Sequence, residues 1–267
     1  MASRAQQKEQ ARQRRLEAEQ QAAAAAARLR RNQMVIGVIL LALVVAGVAV
    51  AISSGGAGSS SAPKVGSPAA NAAKAKVASL LSGIPQAGNR IGDPTAKVTV
   101  TEYGDLECPF CAEFAKGAES QLIANEVRAG KVQVVYRSLC TATCNGPNQN
   151  LFGVQQAAAI AAGLQGYEWN YIELFYNEQG PEDTGYVTDS YLNGLANQIP
   201  GLNYSKWLSS RSSQTLASQV TADEQEASAK GFNSTPTIVV QGPKGQSQPY
   251  AGAATYAQLQ GWIKSVS

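Results

Sequence analysis

The chain has 267 residues, a formal charge of only +3, four cysteines and no histidine. The missing histidine excludes Ser-His and Cys-His nucleophile pairs and imidazole metal ligands, so any chemistry falls to Cys, Asp, Glu, Lys, Tyr or backbone groups. The basic surplus lies between Arg4 and Arg31 and the remainder is close to neutral, which argues against a nucleic-acid partner for the folded part.

Residues 1–33 hold good helix formers without an apolar face and predict a solvated, basic cytoplasmic tail. Met34–Ile52, "MVIGVILLALVVAGVAVAI", carries no charge. At 1.5 Å per helical residue it is long enough to span a bilayer core. Arg28, Arg30 and Arg31 stand just before it. The positive-inside rule then predicts a single-pass cell-membrane protein with a cytoplasmic N-terminus and an extracytoplasmic catalytic domain. A cleaved leader ending at Ala49-Val50-Ala51 is the alternative, but the long basic region and the long apolar run favour an uncleaved anchor. Residues 53–76, rich in Ser, Gly, Ala and Pro, predict a flexible tether.

The folded part is expected from Val77 onward. "AKVTVTEYG" (96–104) alternates and reads as a strand. It runs through Cys108 into a helical pattern with Phe110, Phe114, Leu122, Ile123 and Val127 near one face. "VQVVYRSL" (132–139) is a second strand, which makes a βαβ unit with parallel strands. Residues of about 150–230 are helical, and Trp169, Tyr171, Phe175, Tyr176 and Trp207 at helical spacing read as core. Strands are expected at 236–242 and 248–252, and an amphipathic helix closes the chain. The order is β-α-β, a helical block, then β-β-α, a thioredoxin-like layout once the block is removed.

That order places "CPFC" between a strand and a helix. Cys108 then sits at a helix start, where free N–H groups and the helix dipole favour a thiolate. This makes Cys108 the nucleophile and Cys111, one turn on and more buried, the resolving thiol. Pro109 suits the first helical turn. Far along the chain, "NSTPT" offers Thr235-Pro236, an X-Pro bond that can be cis. Asp105 and Glu107 are read as helix-start charge. Cys140 and Cys144, in "SLCTATCNGP", are most simply a structural disulfide in an oxidising compartment. An auxiliary redox pair is the alternative, and the four cysteines together also fit a tetrahedral zinc pattern. Zinc is disfavoured because structural zinc pairs sit on knuckle turns rather than at a helix head; no metal and no cofactor is expected.

Over residues 77–267 the chain resembles the membrane-anchored bacterial DsbA-like thiol–disulfide oxidoreductases. The match is carried by "GIPQAGNRIGDPTAKVTVTEYGDLECPFC" (83–111), "AAIAAGLQG" (158–166) and "GFNSTPTIVV" (231–240). The resemblance implies an α/β, thioredoxin-like fold with an inserted helical domain. It also implies that Pro236 is cis, faces the cysteine pair and lets a substrate backbone pair at Thr235. Glu102, six positions before Cys108, matches the family's buried acid, a group able to relay the proton of the resolving cysteine. The implied partners are exported unfolded polypeptides with free thiols and a quinone-coupled membrane reoxidant of the DsbB or vitamin-K-epoxide-reductase type. One departure stands out: the family's common Pro-His dipeptide is here Pro109-Phe110, which removes an imidazolium from beside Cys108. A dithiol oxidase is the expected activity. A tethered reductase or isomerase, and a non-catalytic binding module stapled by disulfides, remain the alternatives.

Overall fold

The computed structural model describes Lys64 and residues 66–267. The tail, the apolar run at 34–52 and most of the expected tether lie outside the described residues. Among the described residues no helix is long and apolar enough to cross a membrane.

The tether ends earlier than its composition suggests. Helix α1 (Pro68–Leu81) begins with Ser67 as N-cap, whose side chain accepts from the Ala70 N–H, and with Pro68 in the first turn. Ala70, Ala73, Val77 and Leu81 recur at helical spacing and are buried against α5. Small residues carry that stripe, so it reads as linker until its partner is known.

Two short strands, β1 (Gln86–Ala87) and β2 (Arg90–Ile91), lead into β3 (Val98–Gly104). Helix α2 (Pro109–Phe114) follows and continues through a π turn (Ala115–Glu119), a short α segment (Ser120–Leu122) and a second π turn (Ile123–Val127). Strand β4 (Val132–Ser138) lies parallel to β3, pairing Val98 with Val132 and Glu102 with Tyr136. The inserted block comprises α3 (Ala142–Asn145), α4 (Leu151–Gly163), α5 (Glu168–Asn177), α6 (Asp189–Gln198), α7 (Tyr204–Ser210) and α8 (Gln214–Ala229). Strands β5 (Thr237–Gly242), β6 (Gly245–Gln246) and β7 (Tyr250–Ala251) and helix α9 (Tyr256–Val266) complete the unit. The expected strand at 248–252 is thus only two residues long.

The sheet runs β1-β2-β4-β3-β5-β6, with β7 also on β5. Strand β3 is central, parallel to β4 and antiparallel to β5. By the period-2 rule Glu102 shares a face with Val98 and Val100. That face looks into the main core with Val134, Tyr136, Ile238 and Val240. The opposite face carries a satellite cluster of Tyr103, Leu139, Ala227 and Val239. Trp169, Tyr171, Phe175, Tyr176 and Trp207 are all buried, as their spacing requires. A strand that places a glutamate among valines needs a reason for it.

Candidate active site

The end of β3 delivers the chain to the site through Gly104. A side-chain carbon there would lie 2.7 Å from the Tyr136 ring, so glycine lets the strand end close beneath that ring. Asp105 comes next and is fully buried. Its carboxyl oxygens accept from the N–H groups of Glu107 (3.1 Å), Thr141 (3.0 Å) and Thr143 (2.9 Å) and from the Thr143 hydroxyl (2.6 Å). Asp105 and Glu107 are therefore not surface helix-start charges. Asp105 ties the cysteine loop to the loop of Cys140 and Cys144. Glu107, also buried, is pushed up to about 7, first by desolvation and then by the nearby Asp105.

Cys108 is the N-cap of α2 and Pro109 its first residue. Its thiol donates to the Thr235 carbonyl at 3.4 Å. Burial alone would raise the thiol, but hydrogen bonding from the Cys111 thiol outweighs it. Added to that are the Thr235 side chain and the amides of Cys111 and Phe110 at the helix head. Together they bring Cys108 down to about 7. Cys111, with no solvent exposure, is driven the other way by desolvation and by the neighbouring Cys108 and Glu102. The pair is asymmetric.

Phe110 departs from its expected place. It is 60% exposed, whereas Phe114, Leu122, Ile123 and Val127 are buried as the pattern requires. The first turn of α2 projects past the core, leaving the ring beside Cys108 in solvent.

The Thr235–Pro236 bond is cis and both residues are buried. The Pro236 carbonyl is taken by the Gly252 N–H at 2.7 Å, which fixes the loop opposite Cys108. The hydroxyls of Thr235 and Thr141 share a short hydrogen bond. Cys140 and Cys144 form a disulfide, so the four-thiolate zinc arrangement is not formed. This disulfide closes the loop that offers Thr141 to Thr235 and Thr143 to Asp105. From the inserted block, Gln179 donates to the carbonyls of Leu106 (2.7 Å) and Cys108 (3.1 Å).

Glu102 lies beneath the pair with no solvent exposure. Desolvation raises it to about 8, the carboxyls and Cys108 nearby add to this, and hydrogen bonding with Glu119 partly offsets it. The structure thus brings together Glu102, Cys108, Pro109, Cys111, Thr235 and Pro236, with Phe110 at the rim. Sequence reasoning missed Asp105 as a hub, Gln179, Thr141 and Glu119. Glu119 left a signal: it falls on the same helical stripe as Ala115, Leu122 and Ile123, where a charge is out of place.

The thioredoxin family model matches residues 86–265. Disulfide bond formation protein D of Bacillus subtilis is 24% identical over 150 residues, covering 56% of this chain and 66% of that protein. Na(+)/H(+) antiporter NhaA 1 of Mycolicibacterium gilvum is 29% identical over 164 residues, covering 60% of this chain but 24% of the antiporter. The chain therefore spans less than two thirds of the antiporter, and just under two thirds of Disulfide bond formation protein D. Among solved structures, oxidised BdbD from Bacillus subtilis is similar at a TM-score of 0.57 and 22% identity, over 69% of this chain and 96% of that one. Wolbachia pipientis alpha-DsbA1 is similar at 0.54 and 15%, over 70% and 92%. These likenesses share the α/β fold with its helical insertion, and with the thioredoxin model matched over well above half of its length, the chain belongs to the thioredoxin family.

Proposed function

We propose that this chain is a DsbA-like thiol–disulfide oxidoreductase running as a dithiol oxidase on exported polypeptides. The observation that carries the thiol–disulfide exchange is the asymmetry of the two thiols. Cys108, at a helix head against the Thr235 carbonyl, is brought down to about 7, while Cys111 behind it is buried and raised. The name of Disulfide bond formation protein D and the likeness to DsbA structures support it.

In the oxidised form a substrate thiolate attacks Cys108 Sγ, the Cys108–Cys111 bond breaks, and Cys111 leaves as a thiolate that takes up a proton. The Thr235 carbonyl, no longer receiving the Cys108 thiol proton, is free to accept a substrate N–H as a short added strand. A second substrate thiol, losing its proton to solvent, then attacks the substrate sulfur. Cys108 leaves as a thiolate, which its lowered proton affinity favours. The substrate departs with a disulfide and two electrons stay on the Cys108–Cys111 dithiol. A quinone-coupled membrane partner of the DsbB or vitamin-K-epoxide-reductase type removes them. The Met34–Ile52 span, with the N-terminus cytoplasmic, holds the domain outside the membrane beside that partner. The Cys140–Cys144 disulfide is structural in this scheme, holding Thr141 and Thr143 against the site.

One observation favours a second reading, a tethered reductase or isomerase: Phe110 supplies no positive charge to the Cys108 thiolate. The reduction potential of Cys108–Cys111, measured in glutathione buffers with alkylation at those two positions, separates the two. A value near about −120 mV is expected for the oxidase, and a value near about −270 mV overturns it in favour of the reductase.

A further inference from the structure

Successive residues of β3 alternate between the two faces of the sheet. Glu102 looks into the main core, so Thr99, Thr101 and Tyr103 look out of the far face, away from the cysteine pair. A parallel pair such as β3 and β4 is normally covered on both faces. On the far face α8 packs over β4, and its Ala227 joins Tyr103, Leu139 and Val239. Beside the end of that helix the face opens into a cavity of about 240 Å³. Val135 and Val239 are buried at its base, and every other side chain that lines it is polar or charged.

The strand register sets three cations around this cavity. Arg90 on β2 lies opposite Val135 on β4, Val135 opposite Thr101 on β3, and Thr101 opposite Val239 on β5. Arg137, two residues beyond Val135 on β4, shares that face and is the diagonal neighbour of Arg90, about 7–8 Å away along the backbone. Lys230, the C-cap of α8, closes the third side and donates to the Tyr103 hydroxyl at 2.7 Å. Much of their donor capacity is unused. Arg90 Nη1 donates to Gln133 Oε1 at 3.1 Å, and among the described residues Arg90 has no carboxylate partner. Arg137 Nη1 pairs with Asp223 at 2.7 Å and its Nε lies 3.7 Å from Glu226, which leaves Nη2 without a partner among the described residues. Lys230 pairs with Glu226 at 2.6 Å, so one of its three N–H donors remains. The half-buried Thr99 and Thr101 add two hydroxyls. Three cations thus meet two carboxylates, and a concave wall with a positive surplus concentrates its field on an anion.

We propose that this cavity is a binding site for a phosphate group, on the face of the sheet opposite the thiols. A guanidinium binds phosphate oxygens as a fork, and an ammonium binds them as a point charge. One fork satisfies a planar carboxylate. Cations that converge from two strands and a helix end instead suit a tetrahedral group whose oxygens point in several directions. Arg90 and Arg137 Nη2 take oxygens from adjacent strands, Lys230 takes one from the helix end, and the threonine hydroxyls donate from the floor of the sheet. An apolar ligand is a poor occupant, because it would strip water from these donors and supply no acceptor. Glu226 competes for the same two cations, Arg137 and Lys230, and so weakens the site that it helps to build. The site does not depend on exchange at Cys108–Cys111.

The test is calorimetric titration of the full chain in neutral detergent, at an ionic strength held constant with chloride so that general screening does not change. Inorganic phosphate and glycerol 3-phosphate are the two probes. Saturable binding of at least one, at one equivalent per chain, is expected. Tighter binding of the ester makes the ligand a phosphate monoester, and equal or weaker binding of it makes the ligand free phosphate; both uphold the site. No saturable binding of either overturns it. Arg90→Gln, at an exposed position, is expected to weaken binding about tenfold, the worth of one charge-assisted hydrogen bond. Glu226→Gln is expected to act in the opposite direction and tighten binding about threefold, because it frees Arg137 and Lys230. A general disturbance of the fold would weaken both. Wild-type affinity in Arg90→Gln overturns the site, as does Glu226→Gln binding no more tightly than wild type while it keeps its melting temperature. Should Glu226→Gln not fold, the charge reversal Arg90→Glu replaces it. A loss of about a hundredfold is expected there, twice the tenfold step of the neutral variant on a logarithmic scale, and retained binding overturns the site.

Discussion

Phe110 is the residue on which the strength of the oxidant turns. The Cys108 thiolate is stabilised here by neutral donors, the Cys111 thiol, the Thr235 side chain and two amides, without a cation. A folded-state value lowered from 9.0 to about 7 adds stability to the reduced form that is full above about pH 9 and is lost as pH falls through 7. Phe110→His places a partly protonated ring beside the sulfur. A further drop of about one unit in Cys108 would favour the dithiol at pH 7 by about 1 kcal/mol, or roughly 20 mV towards a stronger oxidant. Titrating Cys108 by its thiolate absorbance and measuring the potential of the same variant check this, and an unchanged potential would refute it. Glu102 works with the opposite sign. Its value is raised to about 8, so its contribution to stability is full below about 4.5 and is lost as pH rises through 8. Glu102→Gln should therefore be more stable than wild type at pH 8, by on the order of 4 kcal/mol, and the gain should vanish by pH 4. Melting curves across that range test it, and parallel curves for the two proteins would show that Glu102 carries no such charge cost.

At the scale of elements, two loops meet on one side chain and a third joins them through Thr141. Asp105 receives the amides of Glu107, Thr141 and Thr143 and the Thr143 hydroxyl, while Thr141 in turn touches Thr235. Asp105→Ala would leave those buried donors without an acceptor, each costing about 1–3 kcal/mol where water does not replace it. A stability loss of at least about 3 kcal/mol is expected. The Cys140–Cys144 disulfide should also become easier to reduce once its loop is released. Denaturant unfolding and the rate of alkylation after mild reduction read the two effects, and wild-type values in both would show that the hub is not needed. This hub also marks where sequence reading stops. Cys108, Cys111, Glu102 and Thr235-Pro236 are legible because each belongs to a local pattern: a strand, a helix start or an X-Pro dipeptide. Asp105 and Glu107 give no such pattern, because what they do is set by loops that lie far away along the chain. Glu119 and Glu173 share this property, since a charge on an apolar stripe signals burial but not its partners. Phe110 was misplaced for a geometric reason: helical periodicity gives an angle about the axis and not whether that turn still overlies the core.

The whole molecule joins a self-sufficient folded unit to a segment of opposite character. The unit closes its own core, from Ala70 and Val77 on α1 through Leu259 and Val266 on α9, and it begins at Pro68. The sequence before it is basic and then uncharged and apolar from Met34 to Ile52. The two parts should therefore separate cleanly. A chain starting at residue 66 should fold, keep the melting temperature of the full chain and stay soluble, since it removes none of the packing that buries α1 against α5. The full chain should sediment with membranes, resist alkaline extraction and expose Cys108 to an impermeant thiol reagent added outside intact cells. Topology matters to the chemistry because thiol oxidation persists only in a compartment that is not held reducing. Full-length protein recovered in the soluble fraction, or Cys108 reached only after lysis, would remove the anchor from the scheme. A shortened soluble product whose N-terminus lies near Ser53 would instead identify the apolar run as a cleaved leader. In that case the domain would meet its reoxidant by diffusion, and the reoxidation rate would depend on its concentration rather than on tethering.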